Sequence, residues 1–334
     1  MSLITLRHFM NYSELISTVG FSSFNGIIIH LLEPLCSCAV NVFVLISGYF
    51  LVNSQFKKTK MFYIWGETFF YSLACLLGSL LFGTTSLSAG KLLISVFPII
   101  TRHYWFPVAY LALYALAPYL NKLIGTMTQK EHRLLIVGGA LLLSLWTTIM
   151  YFCDGVMTGG NTGLLWFIYL YLVGAYIRNF VKKLSPTTYG LGVAILVCFL
   201  AAYSYIEEKI TILQNFPVMN SDSVFILMLS ICFFMLFLSM NIENRMTKKI
   251  IMLLSGCSFG VYLIQESCMI RQWLWQDVVR PQLLADKWYM IFVAIATVVV
   301  LFIIAFVGTM IYKPIYRTIG GIMEKVKNNA TKKE

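Results

Sequence analysis

Four segments of this chain set ionisable side chains among apolar ones. They are His8 beside Arg7 in LITLRHFM, His30 and Glu33 in GIIIHLLEPL, Glu67 in FYIWGETFFY, and Glu266 after Gln265 in SFGVYLIQES. The chemistry open to such groups is proton transfer. Imidazole is the side chain whose unperturbed pKa lies nearest neutrality, and residues three apart, as His30 and Glu33 are, share one helix face. Each group also has a plainer reading. His30 and Glu33 make a local pair. Glu67, two turns from Lys60, sits solvated at the headgroups. Glu266 marks the water boundary. Arg102 and His103 anchor a loop at the surface, and His8 by composition alone is a satisfied helix histidine. The aromatic run HYWFPVAYLALY reads first as packing. These residues by themselves name no reaction.

The elements that must position them are transmembrane helices. Of the 334 residues 59% are hydrophobic and 12% charged, and the mean hydropathy is +0.79. A hydrocarbon core about 30 Å thick needs roughly 20 apolar residues per helical span. Apolar stretches at 27–52, 60–83, 104–120, 133–152, 163–178, 187–206, 222–240, 249–267 and 287–312, with residues 1–10 as a partial first one, predict an all-α polytopic protein of about ten transmembrane helices. Ionisable groups inside such spans are expensive, and are usually partnered or functional.

Loop charge gives the expected orientation. Lys57, Lys58, Lys60, Lys122, Lys130, Arg133, Arg178, Lys182, Lys183, Arg245, Lys248, Lys249 and the tail from Lys313 account for 18 of the 25 Lys and Arg, all on one set of loops. The other set holds six. Positive charge collects on the cytoplasmic side, so the C-terminus is expected there. The net charge of +11 then reads as topology and contact with anionic lipid, not as a nucleic-acid surface. Residues 1–312 are expected to form a single transmembrane domain and 313–334 a polar, frayed cytoplasmic tail. The loops at 84–103 and 268–286 are amphipathic, with Trp273 and Trp275 suited to an interfacial belt. The eight Cys show no metal-ligand spacing and read as buried free thiols. MSLITLRHFM rises only about 15 Å as a helix, half a span. The expectation is therefore a longer reading frame with an internal Met at this position, or a degraded gene.

Taken together, several blocks resemble the acyltransferase 3 family, the ten-helix integral membrane O-acyltransferases of bacteria. NVFVLISGYFLV (41–52) is similar to that family's second-span block. YWFPVAYLALYALAPYLN (104–121) resembles its fourth-span block, and LLWFIYLYLVGAYIR (164–178) a later aromatic span ending in Gly-aromatic. SFGVYLIQES (258–267) resembles the late block that usually ends Tyr-Leu-Ile-His. The blocks occur in family order along nearly the whole chain. The family's first span carries an Arg and, about ten residues on, the His most often assigned to catalysis. His8 falls at that His, whereas Arg7 does not match the Arg by spacing, and Gln265 stands where the family often has His.

The resemblance implies a donor, acetyl-CoA or another acyl-CoA as co-substrate, and an acceptor hydroxyl on a surface polysaccharide or lipid-linked glycan. It implies a multi-pass protein of the bacterial plasma membrane, in contact with lipid and with no nucleic-acid partner, bound cofactor or metal. His8 is then the base or a transient acyl carrier. His30, Glu33, Trp105, Tyr110 and Tyr114 would line the pocket, with Gln265 and Glu266 near its outer mouth. Lys57, Lys58 and Arg178 would meet the donor phosphates. The competing readings are a transporter or flippase of glycan intermediates, a glycan polymerase, or an inactive truncated remnant of the enzyme. No inverted repeat or broken helix pair favours the first of these.

Overall fold

The computed structural model describes residues 1–150 and 163–330, with the side chains of Ser17 and of 319–330 left aside. Cys153 and the end of the 133–152 stretch lie outside the described residues. Among the described residues the regular elements are all helical: α1 Ser2–Asn11, α2 Phe24–Leu51, α3 Lys58–Leu81, α4 Ala89–Val96, α5 Trp105–Thr126, α6 Gln129–Ala140, α7 Leu164–Phe180, α8 Pro186–Glu207, α9 Val224–Ser239, α10 Arg245–Glu266 and α11 Met290–Ala330. Seven are long and apolar enough to cross a membrane: α2, α3, α5, α6 with its continuation to Ile149, α8, α10 and α11 to Thr318. The apolar helices α7 and α9 are shorter. With the ten-residue α1 they make ten among the described residues, so the all-α polytopic reading is correct.

A backbone without water must satisfy its own polar groups, and the sequence supplies caps where helices begin. Ser23 accepts from the Gly26 N–H and Asn244 from the N–H groups of Met246 and Thr247. Thr128 and Glu131 form a reciprocal capping box at α6. Past Ala140, α6 widens into a π-turn at Leu141–Leu145. Beyond it, Thr148 accepts from the Val224 N–H at 3.0 Å and so caps α9.

The tightest seam joins α2 to α7. A Cβ on Gly48 would lie 2.2 Å from the Tyr171 carbonyl oxygen, and one on Gly174 would lie 2.4 Å from that of Leu45. Small residues let membrane helices approach this closely. One turn or two away, the wholly buried Asn41 accepts from Trp166 Nε1 at 3.0 Å. Its amide donates to the Ser221 carbonyl at 2.6 Å and to Ser230 Oγ at 3.2 Å. The SGYF and VGAY runs are thus two halves of one contact.

A second lock joins α3, α10 and α11. The Tyr71 hydroxyl donates to the Ala305 carbonyl at 2.8 Å and lies 3.2 Å from Thr309 Oγ1. It passes between Gly260 and Gly308, where an added Cβ would come within 2.4 and 2.7 Å of it.

Three expectations change. Glu67 is buried, only 3% exposed, and not solvated at the headgroups, because Tyr63, Tyr71 and Tyr312 stand around it. Trp275 belongs to no interfacial belt. Its segment, the π-turn Trp273–Val279, folds back so that the indole is fully buried, 6.4 Å edge-on from Phe9. The tail does not fray at 313, since α11 continues as helix to Ala330.

Candidate active site

The half-length helix α1 packs against α2, α10 and α11, and its far end hands Arg7, His8, Asn11 and Tyr12 to a cavity of about 280 Å³. Cys36, Ser37, Val40 and Phe43 of α2 form the opposite wall, Trp105 and Phe106 of α5 the floor, and Ser258, Phe259 and Tyr262 of α10 the remaining side. An apolar chamber with a few converging polar groups is the usual form of a small-molecule site.

Two charged networks meet there. His8 Nε2 lies 3.4 Å from Glu266 Oε2, with the imidazole side chain 14% exposed. Glu266 is held from the other side. The Tyr12 hydroxyl donates to Oε2 at 2.7 Å, and Arg271 donates to Oε1 at 3.3 Å and to the Tyr12 oxygen at 3.3 Å. The Arg271 guanidinium also lies 4.8 Å over the Tyr12 ring. In the second network, Arg7 donates to Glu33 Oε1 at 3.2 Å. Glu33 Oε2 stands 3.8 Å from His30 Nδ1, and His30 Nε2 reaches Glu208 at 3.7 Å. Each buried charge thus has a partner, which low-dielectric surroundings demand.

The structure distributes the residues singled out in the sequence over three places. His8 and Trp105 line the cavity itself. Gln265 and Glu266 sit directly behind His8, and both are buried rather than at an open mouth. Glu33 reaches the cavity through Arg7, and His30 lies one step further out, stacked on Phe21 at 3.9 Å. Tyr110 and Tyr114 face away from the chamber toward the end of the bundle that carries Lys57. Tyr110 accepts from Ser47 Oγ at 3.3 Å, and Tyr114 accepts from the Lys57 N–H at 3.2 Å.

At that same end, Tyr114 and Asn121 line a separate cavity of about 230 Å³. Lys57 and Lys58 are exposed there, and Lys58 edges a groove of about 980 Å³ between α3 and α5. Arg178 is engaged with Tyr49, donating to its hydroxyl at 3.0 Å and lying 4.9 Å over its ring.

Sequence reading missed Tyr12 and Arg271. Both fall just past helix ends, 259 residues apart, and no local period ties them together. In the sequence Arg271 reads only as one of the six charges on the less basic set of loops. The one available signal is that it follows Glu266 by five residues, within reach once the chain turns at Ser267. His103 is likewise no surface anchor. Its Nε2 accepts from the Cys268 N–H at 3.2 Å and its Nδ1 lies 3.4 Å from Ser72 Oγ, so it clamps the loop before α5 to α3 and to the end of α10. Burial foremost, with the Arg271 charge adding to it, lowers the His103 pKa to about 4.

Residues 1–312 match the family model described as an acyltransferase domain, and the chain belongs to that acyltransferase 3 family. It is a membrane acyltransferase. No curated protein matches the chain, and no solved structure does.

Proposed function

We propose that this protein is an O-acetyltransferase of the bacterial plasma membrane. It moves an acetyl group from acetyl-CoA to a hydroxyl of a surface or exported polysaccharide, or of its lipid-linked precursor. The observation that carries the reading is His8 on the wall of a mostly apolar cavity with Glu266 against its Nε2. A sugar hydroxyl is a weak nucleophile and needs a base that works near neutral pH. In the reaction, the hydroxyl oxygen attacks the thioester carbonyl and its proton passes to His8. The carbon–sulfur bond then breaks, and the CoA thiolate recovers the proton from the imidazolium. Glu266, already held by Tyr12 and Arg271, stabilises the charged ring between those two transfers.

The basic loops set the Lys57 end in the cytoplasm, with the C-terminus, and the His8 end toward the outside. CoA phosphates then meet Lys57 and Lys58 at the mouth of the cavity lined by Tyr114 and Asn121. The acyl arm reaches inward past Tyr110 toward Phe106, whose rings stack at 5.6 Å along one face of α5. Such a route suits an acyl group that starts on one side of the membrane and finishes on the other.

The test is the alkali-labile acetyl resonance in the proton NMR spectrum of the surface polysaccharide. Deletion of the gene is expected to remove it, the wild-type chain to restore it, and the His8→Ala chain to leave it absent. An unchanged spectrum in the deletion strain would refute the reading. Loss of the polymer itself would favour a transporter or polymerase.

A further inference from the structure

Far from His8, the starting half of α10 and the later half of α11 leave a slot of about 310 Å³ between them. It extends from Lys249 to Cys257 on α10 and from Lys313 back to Phe306 on α11, roughly 10–12 Å along each helix at 1.5 Å per residue. The two helices run in opposite directions, since Gly260 and Gly308 flank one tyrosine hydroxyl while Gly256 meets Lys313. Both lysines therefore stand toward the end of the bundle that carries the basic loops, and Met310 and Phe306 lie deeper. Gly256 gives the slot its width. With no side chain there, Lys313 Nζ lies over the α10 backbone, 3.6 Å from where a Cβ would stand.

The charge in this slot is of one sign. Among the described residues the ion pairs lie at the His8 end and use neither lysine. Glu67, whose carboxylate feels the Lys313 charge, is buried on α3 and stands beyond ion-pair distance. Glu243, just before α10, accepts from the Asn241 amide at 3.0 Å. Residues four apart share a helix face, so Arg245 and Arg317 extend the two basic stripes past the mouth.

Beyond the lysines the slot is apolar and opens outward. Met252 is 74% and Met310 60% exposed, on helices that cross the membrane, so this surface meets lipid chains. The slot does not lead to the His8 cavity. Among the described residues none lines both, and Thr309 on its inner wall is tied to the Tyr71 lock, 3.2 Å from that hydroxyl. A soluble phosphate ester would use the cations and leave the apolar length empty. A ligand with a phosphate at one end and hydrocarbon at the other uses both, and basic pockets between transmembrane helices take such headgroups.

We propose that this slot is a binding site for an anionic phospholipid, with the headgroup phosphate between Lys249 and Lys313 and one acyl chain running past Met310 and Phe306. The site stands apart from acyl transfer and does not depend on His8.

The test is native mass spectrometry of the detergent-purified full chain, titrated with phosphatidylglycerol or with phosphatidylcholine of the same chains. The expected result is one phosphatidylglycerol retained at concentrations that leave phosphatidylcholine unbound. Each lysine at a membrane surface favours an anionic lipid about fivefold, so Lys249→Gln with Lys313→Gln should weaken that adduct about thirtyfold. Lys182→Gln with Lys183→Gln removes the same charge from another basic loop and should leave it intact. Gly256→Leu keeps both charges and fills the slot, and should also lose the adduct. Equal retention of the two lipids, an unchanged adduct in the Lys249 and Lys313 pair or in Gly256→Leu, or an equal loss in the Lys182 and Lys183 pair overturns the proposal. Coenzyme A is titrated in the same way without lipid. A one-to-one adduct that needs Lys249 and Lys313 would make the slot a nucleotide-phosphate site and overturn the lipid assignment. If Gly256→Leu does not elute as a monodisperse species, the two lysine pairs decide.

Discussion

Two seams of this bundle are built from opposite materials. Between α2 and α7 the backbones touch, Gly48 against Tyr171 and Gly174 against Leu45, and the polar group at that level, Asn41, is fully spoken for. Where α1 meets α2 and α10, the helices stand apart around 280 Å³, and charged groups border the gap. The first seam spends its residues on dispersion contacts, which are forfeited when atoms separate. The second forgoes those contacts to keep room and charge, which a substrate site needs and a stable core does not. The lesson is that stability and chemistry are assigned to different helices, so a substitution in one seam should leave the other's property alone.

The largest expected effect tests the chemical seam. His8→Ala should lower acyl transfer by roughly 10²–10⁴-fold, the usual worth of general base catalysis. The variant should keep its thermal unfolding midpoint, because His8 sits beside a gap already present. Rate assays and thermal scans of the same purified preparation check both halves.

Next comes the packed seam. Gly48→Ala puts a methyl 2.2 Å from a backbone oxygen that cannot rotate away. It should destabilise the fold by about 1–3 kcal/mol, as overpacking does, and lower the yield of monodisperse protein. Any fall in activity should follow the loss of folded material, so the rate per folded molecule is the number to compare.

Asn41→Leu is milder. It leaves the buried Trp166 indole N–H without an acceptor, worth about 1–2 kcal/mol, and the midpoint should fall accordingly with the rate per folded molecule kept.

The smallest effect is a slope with pH. The folded His103 pKa is lowered to about 4 from 6.5, chiefly by burial. Between these values the unfolded chain binds the proton that the folded one excludes. Stability from this group is therefore whole above pH 6.5 and is lost as pH falls through about 4. His103→Gln should flatten the midpoint over that window. An unchanged slope would show that His103 does not carry it.

Much of the packed seam was legible in the sequence and little of the site was. Helical spans announce themselves, because each needs some 20 apolar residues in a row, and the blocks ending at Gly48 and Gly174 carry the resemblance to a family on their face. His8, Glu266 and Gln265 were visible as polar residues in apolar runs. Their joining was not. It depends on how α1, half a span long, is seated beside α10, and on the loop after Glu266 folding back. Arg271 and Trp275 enter the site by that fold-back, and a hydropathy pattern treats both as interface. Glu67 was misplaced for a related reason. Distance along α3 from Lys60 gave its depth in the membrane but not the side of the helix on which it stands.

The Tyr71 hydroxyl between Gly260 and Gly308 has a consequence for how this chain can change over generations. Three positions far apart in the gene are coupled: neither glycine can acquire a side chain while the phenol stands between them. Loss of the phenol would in turn strip the Ala305 carbonyl of its second donor and open a hole. Substitutions there are accepted as a set or in one order, the tyrosine first. Gly260 lies five residues before Gln265 on the same helix, so whatever history is permitted at Tyr71 also governs how far α10 can slide, and with it where Gln265 and Glu266 stand beside His8.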